Sequence, residues 1–161
     1  MAASYQWAES NGAGEVVTDG IANLNFGSND SANIVTTTYP VTAGQNSFEK
    51  YLRAKFSGVF TEISNMKFWK SGGTFITGES IKAIANQTYT APVSSTSVKA
   101  VSDVPESEGT ALSVQSTEGD TSKLTVAGTY TKYLVLQLQT TTGTPAGAVN
   151  QKTFTFQYDE V

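Results

Sequence analysis

Carboxylates are the side chains of this sequence best suited to catalysis, because the 161-residue chain contains neither cysteine nor histidine. That composition excludes cysteine nucleophiles, redox CxxC pairs, zinc fingers and Ser-His-Asp triads. Acid–base catalysis by carboxylates alone needs an Asp/Glu pair across a cleft. Asp159 and Glu160 are neighbours on an expected strand, where adjacent side chains point to opposite faces. They do not converge on one substrate, so the sequence predicts no catalytic residue and no enzyme activity.

A second use of carboxylates is metal binding. Asp103, Glu106 and Glu108 fall in the polar segment 101–110, and calcium takes oxygen ligands from such side chains. Their spacing does not match an EF-hand loop, which places ligands at positions 1, 3, 5, 7, 9 and 12. We interpret the segment as an exposed, solvated loop. Gly12 and Gly14 are not followed by the third glycine and helix of a dinucleotide-binding motif, so we predict neither a metal nor a cofactor.

The charge of the chain limits its partners. A formal net charge of −4 argues against nucleic-acid binding, which requires clustered Lys and Arg. Lys50, Arg53 and Lys55 alternate with apolar residues, as on a solvated sheet surface. No stretch approaches the roughly 18–20 apolar residues of a membrane span, and the N-terminus has neither a basic leader nor a hydrophobic signal region. We expect no nucleic-acid or membrane partner, and synthesis in the cytoplasm.

Outward-facing aromatic residues are the remaining candidates for recognition. The alternation of residues 66–70 places Met66 and Phe68 on one face of a strand and Trp69 on the other. An outward Trp serves a sheet or subunit contact more often than a sugar-stacking platform. Both interpretations remain open, and the contact is favoured. The candidate partner-contact residues are Tyr5, Trp7, Tyr51 and Trp69.

Period-two alternation of apolar and polar residues dominates the chain and predicts strands. It is clearest at residues 51–57, 133–139 and 153–158, and weaker strands are expected at 22–26, 34–39, 66–69, 81–85, 97–100, 111–114 and 123–126. Gly, Asn and Asp clusters separate these runs at about 8–12-residue spacing, which is typical of antiparallel β proteins. We predict an all-β fold: a single antiparallel β-sandwich, either immunoglobulin-like or a jelly roll.

The length corresponds to one domain. Residues 21–161 are expected to form the sandwich. Residues 1–20 are rich in Gly, Ala and Ser and show weak periodicity. They are expected to form either an extended N-terminal arm or a first strand, and such a strand would pair outside the domain.

Several segments carry a family resemblance. They are 39–50 (YPVTAGQNSFEK), 66–73 (MKFWKSGG) with 77–79 (TGE), 133–139 (YLVLQLQ) and 152–160 (KTFTFQYDE). From about residue 22 to the end, the sequence resembles a family of small structural proteins encoded by tailed bacteriophages. The motifs are not catalytic, so they indicate relatives and not an activity.

The resemblance implies a virion protein and leaves open whether it belongs to the head or the tail. The leading hypothesis is a capsid decoration (cement) protein that binds the outer surface of the major capsid protein shell and stabilises it. Such a role favours self-association, most simply as a trimer. The alternative is a glycan- or receptor-binding module of a tail or head fibre. A chain without oxidisable thiols or groups that titrate near neutral pH suits long exposure on a particle.

Overall fold

A computed structural model describes residues 2–147 and 150–161 of the chain. These residues form nine β-strands and one short 3-10 turn, Glu108–Thr110. The strands are β1 (Ser4–Asn11), β2 (Val16–Asp19), β3 (Lys50–Ser57), β4 (Ile63–Gly72), β5 (Glu79–Gln87), β6 (Ser102–Asp103), β7 (Leu112–Ser113), β8 (Tyr133–Thr140) and β9 (Thr153–Glu160). The three strands with the clearest alternation are confirmed as β3, β8 and β9.

Two antiparallel sheets pack face to face as a single β-sandwich. The larger has the strand order β2-β1-β3-β8-β5-β6, and the smaller has the order β7-β4-β9. Alternate residues of β3 and β8 point into the space between the sheets, as the period-two pattern predicts. The buried residues contributed by these two strands are Leu52, Ala54, Phe56, Leu134, Leu136 and Leu138.

The N-terminal residues belong to the larger sheet. β1 and β2 form a hairpin, and β1 also pairs with β3 from Ser4↔Ser57 to Ser10↔Tyr51. Trp7 packs against the smaller sheet, with its ring centroid 5.2 Å from that of Phe156. Residues on both sides of position 20 therefore share one sheet and one core. The first strand pairs inside the domain, and residues 4–19 are not an arm that leaves it.

Four of the weaker expected strands are irregular. Residues 22–26 and 34–39 lie in the long connection (residues 20–49, between β2 and β3), and neither 97–100 nor 123–126 forms a strand. Within the long connection, the Asn25 side-chain amide donates to the Ile34 carbonyl at 2.8 Å, so this backbone acceptor is bonded to a side chain. The long connection still contributes to the core, since Leu24 and Phe26 pack against it.

Segment 101–110 is more ordered than the exposed loop that was expected. Ser102–Asp103 pairs with β5 as strand β6. Val104 is buried, and its backbone N–H donates to the Ile81 carbonyl at 2.8 Å. The segment closes the far edge of the larger sheet.

Part of the outer face of the larger sheet is covered by a segment that we call the strap (residues 88–101, between β5 and β6). Beneath it lies a second small core in which Tyr51, Tyr133 and Val135 of the sheet pack with Ala100 of the strap, and Tyr89 packs against them. Tyr51 is therefore buried, and the outward exposure expected of a partner-contact residue is not found at this position. The alternation correctly places Tyr51 on the outer face of the sheet, but the strap packs over this part of that face.

A buried polar network holds the strap to the sheet. The Glu49 carboxylate accepts hydrogen bonds from the Ser97 hydroxyl and from the backbone N–H of Val93, the latter at 3.3 Å. The Gln137 side chain accepts from the Ser97 backbone N–H at 3.0 Å and donates to the Ser95 carbonyl at 2.7 Å. Because these buried polar groups have hydrogen-bond partners on the strap, the network fixes the strap in one position on the sheet.

Candidate functional site

The loop carboxylates do not converge on a metal. Among the residues that the structure describes, no group of three or more Asp and Glu side chains is arranged to hold an ion. Each acid of segment 101–110 instead pairs with its own lysine on β4 or β5. The pairs are Asp103–Lys82 at 2.7 Å, Glu106–Lys70 at 3.0 Å and Glu108–Lys67 at 3.1 Å. These contacts anchor the segment, and the calcium alternative has no ligand cluster there.

The C-terminal acids also lie apart. Asp159 accepts from the Asn65 side-chain amide at 2.8 Å, whereas Glu160 accepts from the backbone N–H of Ala3 at 2.7 Å. The two carboxylates therefore serve different elements of the sandwich. This arrangement offers no acid–base pair across a cleft.

Tyr5 and Trp7 lie on the inner face of β1, where the sandwich is open at its side. The Tyr5 ring packs edge-to-face against the rings of Phe156 and Tyr158, with ring centroids 5.2 Å and 5.8 Å apart, respectively. Burial, with Tyr158 beside it, raises the pKa of Tyr5. Tyr5 remains 36% exposed, whereas Trp7 is half-buried against Phe68 and Phe156. Of the two residues, Tyr5 presents the larger surface to a partner.

Tyr51 presents no surface to a partner in this conformation. It is fully buried, and its hydroxyl shares a 2.7 Å hydrogen bond with the Thr90 hydroxyl of the strap. Burial raises the pKa of Tyr51. Its role is to attach the strap to β3.

Trp69 lies on the outer face of the smaller sheet, as the alternation indicates. Its neighbour Phe68 points into the core, and Trp69 pairs across β4 and β9 with Thr155. Thr155 donates to the Ser71 hydroxyl at 2.7 Å beside it. The result is a half-buried indole in a polar sheet face, suited either to a protein contact or to stacking against a sugar ring.

The strap carries contact candidates that the sequence analysis missed. Val98 is 89% exposed, and Val93 and Val101 are also exposed on the same segment. Residues 97–100 were expected to be a strand, and the structure shows an irregular segment there. Pro92 and the run Ser94, Ser95 and Thr96 are the signals that favour an irregular segment.

A groove opens beside the end of β8. It has a volume of about 670 Å³ and lies between the long connection and residues 140–147. Its walls include Phe26, Val41, Leu138 and Pro145, with threonines at several positions. The side chains that line it within the described residues are uncharged, so the groove offers no acid–base chemistry.

Comparison with known proteins found no matching family model, no matching curated protein and no matching solved structure. The phage resemblance therefore depends on the sequence motifs alone. Within residues 2–147 and 150–161, no helix is long and apolar enough to cross a membrane.

Proposed function

We propose that this chain is a virion structural protein of a tailed bacteriophage, most simply a capsid decoration protein that binds the outer surface of the major capsid shell. The motif resemblance motivates the proposal. The contacts of segment 101–110 are compatible with it, because each of the three acids in that segment is paired with a lysine and serves to anchor the segment. A protein of this kind acts through contact surfaces and mechanical strength.

The strap is the observation that best supports a contact role. Its three exposed valines project from a segment whose backbone is tied to the sheet through Glu49 and Gln137. A rigid loop loses little conformational entropy when a partner covers it. Apolar side chains displayed in this way are suited to a preformed protein contact.

Binding of the protein to purified shells that lack it tests the proposal. Val98→Glu introduces a charge at a highly exposed position, so we expect the fold to survive and shell binding to fall at least about tenfold, or 1.4 kcal/mol. Val126→Glu is the matched control, since Val126 is 59% exposed and lies outside the strap. Co-sedimentation measures the binding.

The mechanical role is tested by particle stability. Shells that carry the protein should resist heat or chelation better than shells without it. Unchanged robustness would refute the cement role even if the protein binds. Equal binding by the Val98→Glu and Val126→Glu variants would exclude the strap as the contact.

Self-association is part of the proposal, with a trimer around a local symmetry axis as the simplest form. Tyr5 and Trp69 supply exposed or half-exposed aromatic surface for such contacts. Analytical ultracentrifugation of the free protein and copy counting on particles measure the stoichiometry. A protein that is monomeric in both settings would refute the trimer.

The alternative function is glycan or receptor binding by a phage fibre, and the position of Trp69 favours it. Under this hypothesis, Trp69→Ala abolishes binding to host-surface polysaccharide, while the Val98→Glu variant still binds. The decoration hypothesis predicts no polysaccharide binding by the wild-type protein. Tyr51→Ala is not a suitable test, because Tyr51 is buried under the strap.

A further inference from the structure

An amine, a carboxamide and a carboxylate meet inside the sandwich at one end of β1 and β3. Glu9 and Lys50 are fully buried, and Asn11 is buried beside them. The β1–β3 pairing runs through Glu9↔Leu52 and ends at Ser10↔Tyr51. Continued by one residue beyond this last pair, the antiparallel register sets Asn11 opposite Lys50. Directly opposed residues have Cβ atoms about 4.5–5.5 Å apart. The Lys50 and Asn11 side chains are therefore within reach of each other.

Glu9 joins the two groups through a single oxygen. Lys50 Nζ donates to Glu9 Oε1 at 2.8 Å, and Asn11 Nδ2 donates to the same oxygen at 2.9 Å. The other carboxylate oxygen, Oε2, is buried and has no hydrogen-bond partner among the described residues. Buried polar atoms are normally satisfied. An unpartnered oxygen next to an ammonium is a position that a transferred proton can occupy.

Asp30 holds the carboxamide in place. Its Oδ1 accepts from Asn11 Nδ2 at 2.8 Å, and its Oδ2 accepts from the backbone N–H of Gly12 at 2.8 Å. Lys50 Nζ also donates to the Ser31 carbonyl at 2.9 Å. Amine and amide are thus both oriented before any reaction, which is the condition for a high effective concentration of reacting groups.

We propose that Lys50 and Asn11 form an intramolecular isopeptide bond, with Glu9 as the catalytic residue that relays protons. Lys50 first gives one proton to Glu9, which leaves a neutral amine and a carboxylic acid. The Nζ lone pair then attacks Asn11 Cγ.

The reaction needs no oxidant or co-reactant. A bond forms between Lys50 Nζ and Asn11 Cγ, and the bond between Cγ and Nδ2 breaks. Glu9 protonates the departing Nδ2 and takes up the proton released by Nζ, so ammonia leaves and a secondary amide remains. Ammonia then accepts the last proton from Glu9. A pocket of about 380 Å³ lined by Asn11, Gly12, Asp30 and Ser31 gives the ammonia a route to solvent.

The product would be a covalent link between β1 and β3, which β2 and the long connection separate in sequence. Such a link constrains the unfolded chain in the way that a disulfide does. The sequence has no cysteine from which to build a disulfide. A link of this kind suits a domain under mechanical load, although it does not depend on the proposed virion function.

Intact mass under denaturing conditions is the first test. The aged, folded wild-type protein is expected to be lighter than its sequence by one ammonia molecule. A wild-type mass equal to that of the full sequence after prolonged incubation would overturn the proposal. This measurement needs no variant, so a folding defect cannot obscure it.

A competing reaction has the same mass change. In an Asn-Gly sequence the Gly12 backbone nitrogen can attack Asn11 and form a succinimide, also with loss of ammonia. Cleavage after glutamate separates the two, because Glu9, Glu15, Glu49 and Glu62 bound the relevant peptides. The isopeptide bond joins peptide 10–15 to peptide 50–62 in one branched product. A lighter peptide 10–15 on its own indicates the succinimide and contradicts the proposal.

Variants assign the roles. Lys50→Arg and Glu9→Gln are each expected to retain the full sequence mass while giving the wild-type circular dichroism spectrum. Lys70→Arg is the matched control, because Lys70 is also buried and ion-paired but makes no hydrogen bond to a carboxamide among the described residues. It should still lose ammonia. A branched peptide that persists in Glu9→Gln would refute the role of Glu9 as the proton relay.

Discussion

Replacing Lys152 with methionine tests how much a buried ion pair contributes to this sandwich. Lys152 Nζ lies 2.8 Å from Glu79 Oε2, and the two side chains are only 6% and 2% exposed. The same Glu79 oxygen accepts from the backbone N–H of Ile76 at 3.0 Å. Removal of the lysine leaves the carboxylate buried with one neutral donor. The pair ties the start of β9 to the start of β5.

The expected cost is large for a domain of this size. Breaking a buried pair by removing one partner costs about 3–5 kcal/mol, because a charge remains without compensation. Domains have total stabilities of about 5–15 kcal/mol. At about 2–4 °C per kcal/mol for chains of 150–250 residues, the melting temperature should fall by about 6–20 °C.

Urea unfolding at pH 7, with thermal melting as a second measure, provides the assay. Lys82→Met is the control, because its partner Asp103 is 73% exposed and an exposed pair contributes at most about 1 kcal/mol. The double variant Glu79→Gln/Lys152→Met removes the isolated charge and keeps an acceptor for Ile76. It should be more stable than Lys152→Met alone. The reasoning fails if Lys152→Met costs no more than Lys82→Met, or if the second substitution restores nothing.

Two further predictions concern a turn and a loop. Gly73→Ala should lower the unfolding free energy in urea by more than about 2 kcal/mol, since φ is +78° and the added Cβ would lie 2.2 Å from a backbone carbonyl oxygen. Gly128→Ala, with φ +89° and no atom of the described residues within 4 Å of the added Cβ, should cost about 1–2 kcal/mol. Equal losses for the two variants would contradict the steric argument. Burial raises the pKa of Glu118, but hydrogen bonds from the backbone N–H groups of Val126 and Thr125 outweigh it and hold that pKa below its usual value. The stability that the Glu118 carboxylate contributes is therefore present above the ordinary carboxyl pKa and is lost as the pH falls through the pKa of Glu118 in the folded protein. The loss of unfolding free energy in Glu118→Gln, measured in urea, should accordingly shrink in acid. A loss that does not change with pH would refute this.

The strands could be predicted where one face of the sheet is buried. From Leu52 to Phe56 in β3 and from Leu134 to Leu138 in β8, each inward residue is apolar and most outward ones are polar, so the pattern itself identifies the element and its inner face. Lys50, at the start of β3, is the inward exception. β4 and β5 were expected at their centres, and their ends extend further in the structure. The long connection could not be predicted in this way, because its apolar residues reach the core one at a time from irregular backbone.

Tyr51 illustrates what local pattern leaves out. Alternation assigns Tyr51, Arg53 and Lys55 to the same outer face, but it does not show which part of that face another segment covers. The strap is 37 or more positions away in sequence, and its attachment depends on hydrogen bonds to Glu49 and Gln137. Such contacts between distant segments have no local period.

By itself the sequence determined the β class, the strands with a period of two and the exclusion of thiol and imidazole chemistry. Those features depend only on the residue types and on their neighbours along the sequence. The tertiary structure decided that Tyr51 is buried, that each acid of segment 101–110 pairs with a lysine, and that Glu9, Asn11 and Lys50 meet in one buried cluster. The physical reason is that burial and charge pairing depend on which distant segments the fold brings together, and a carboxylate or amine acquires its chemistry from those neighbours.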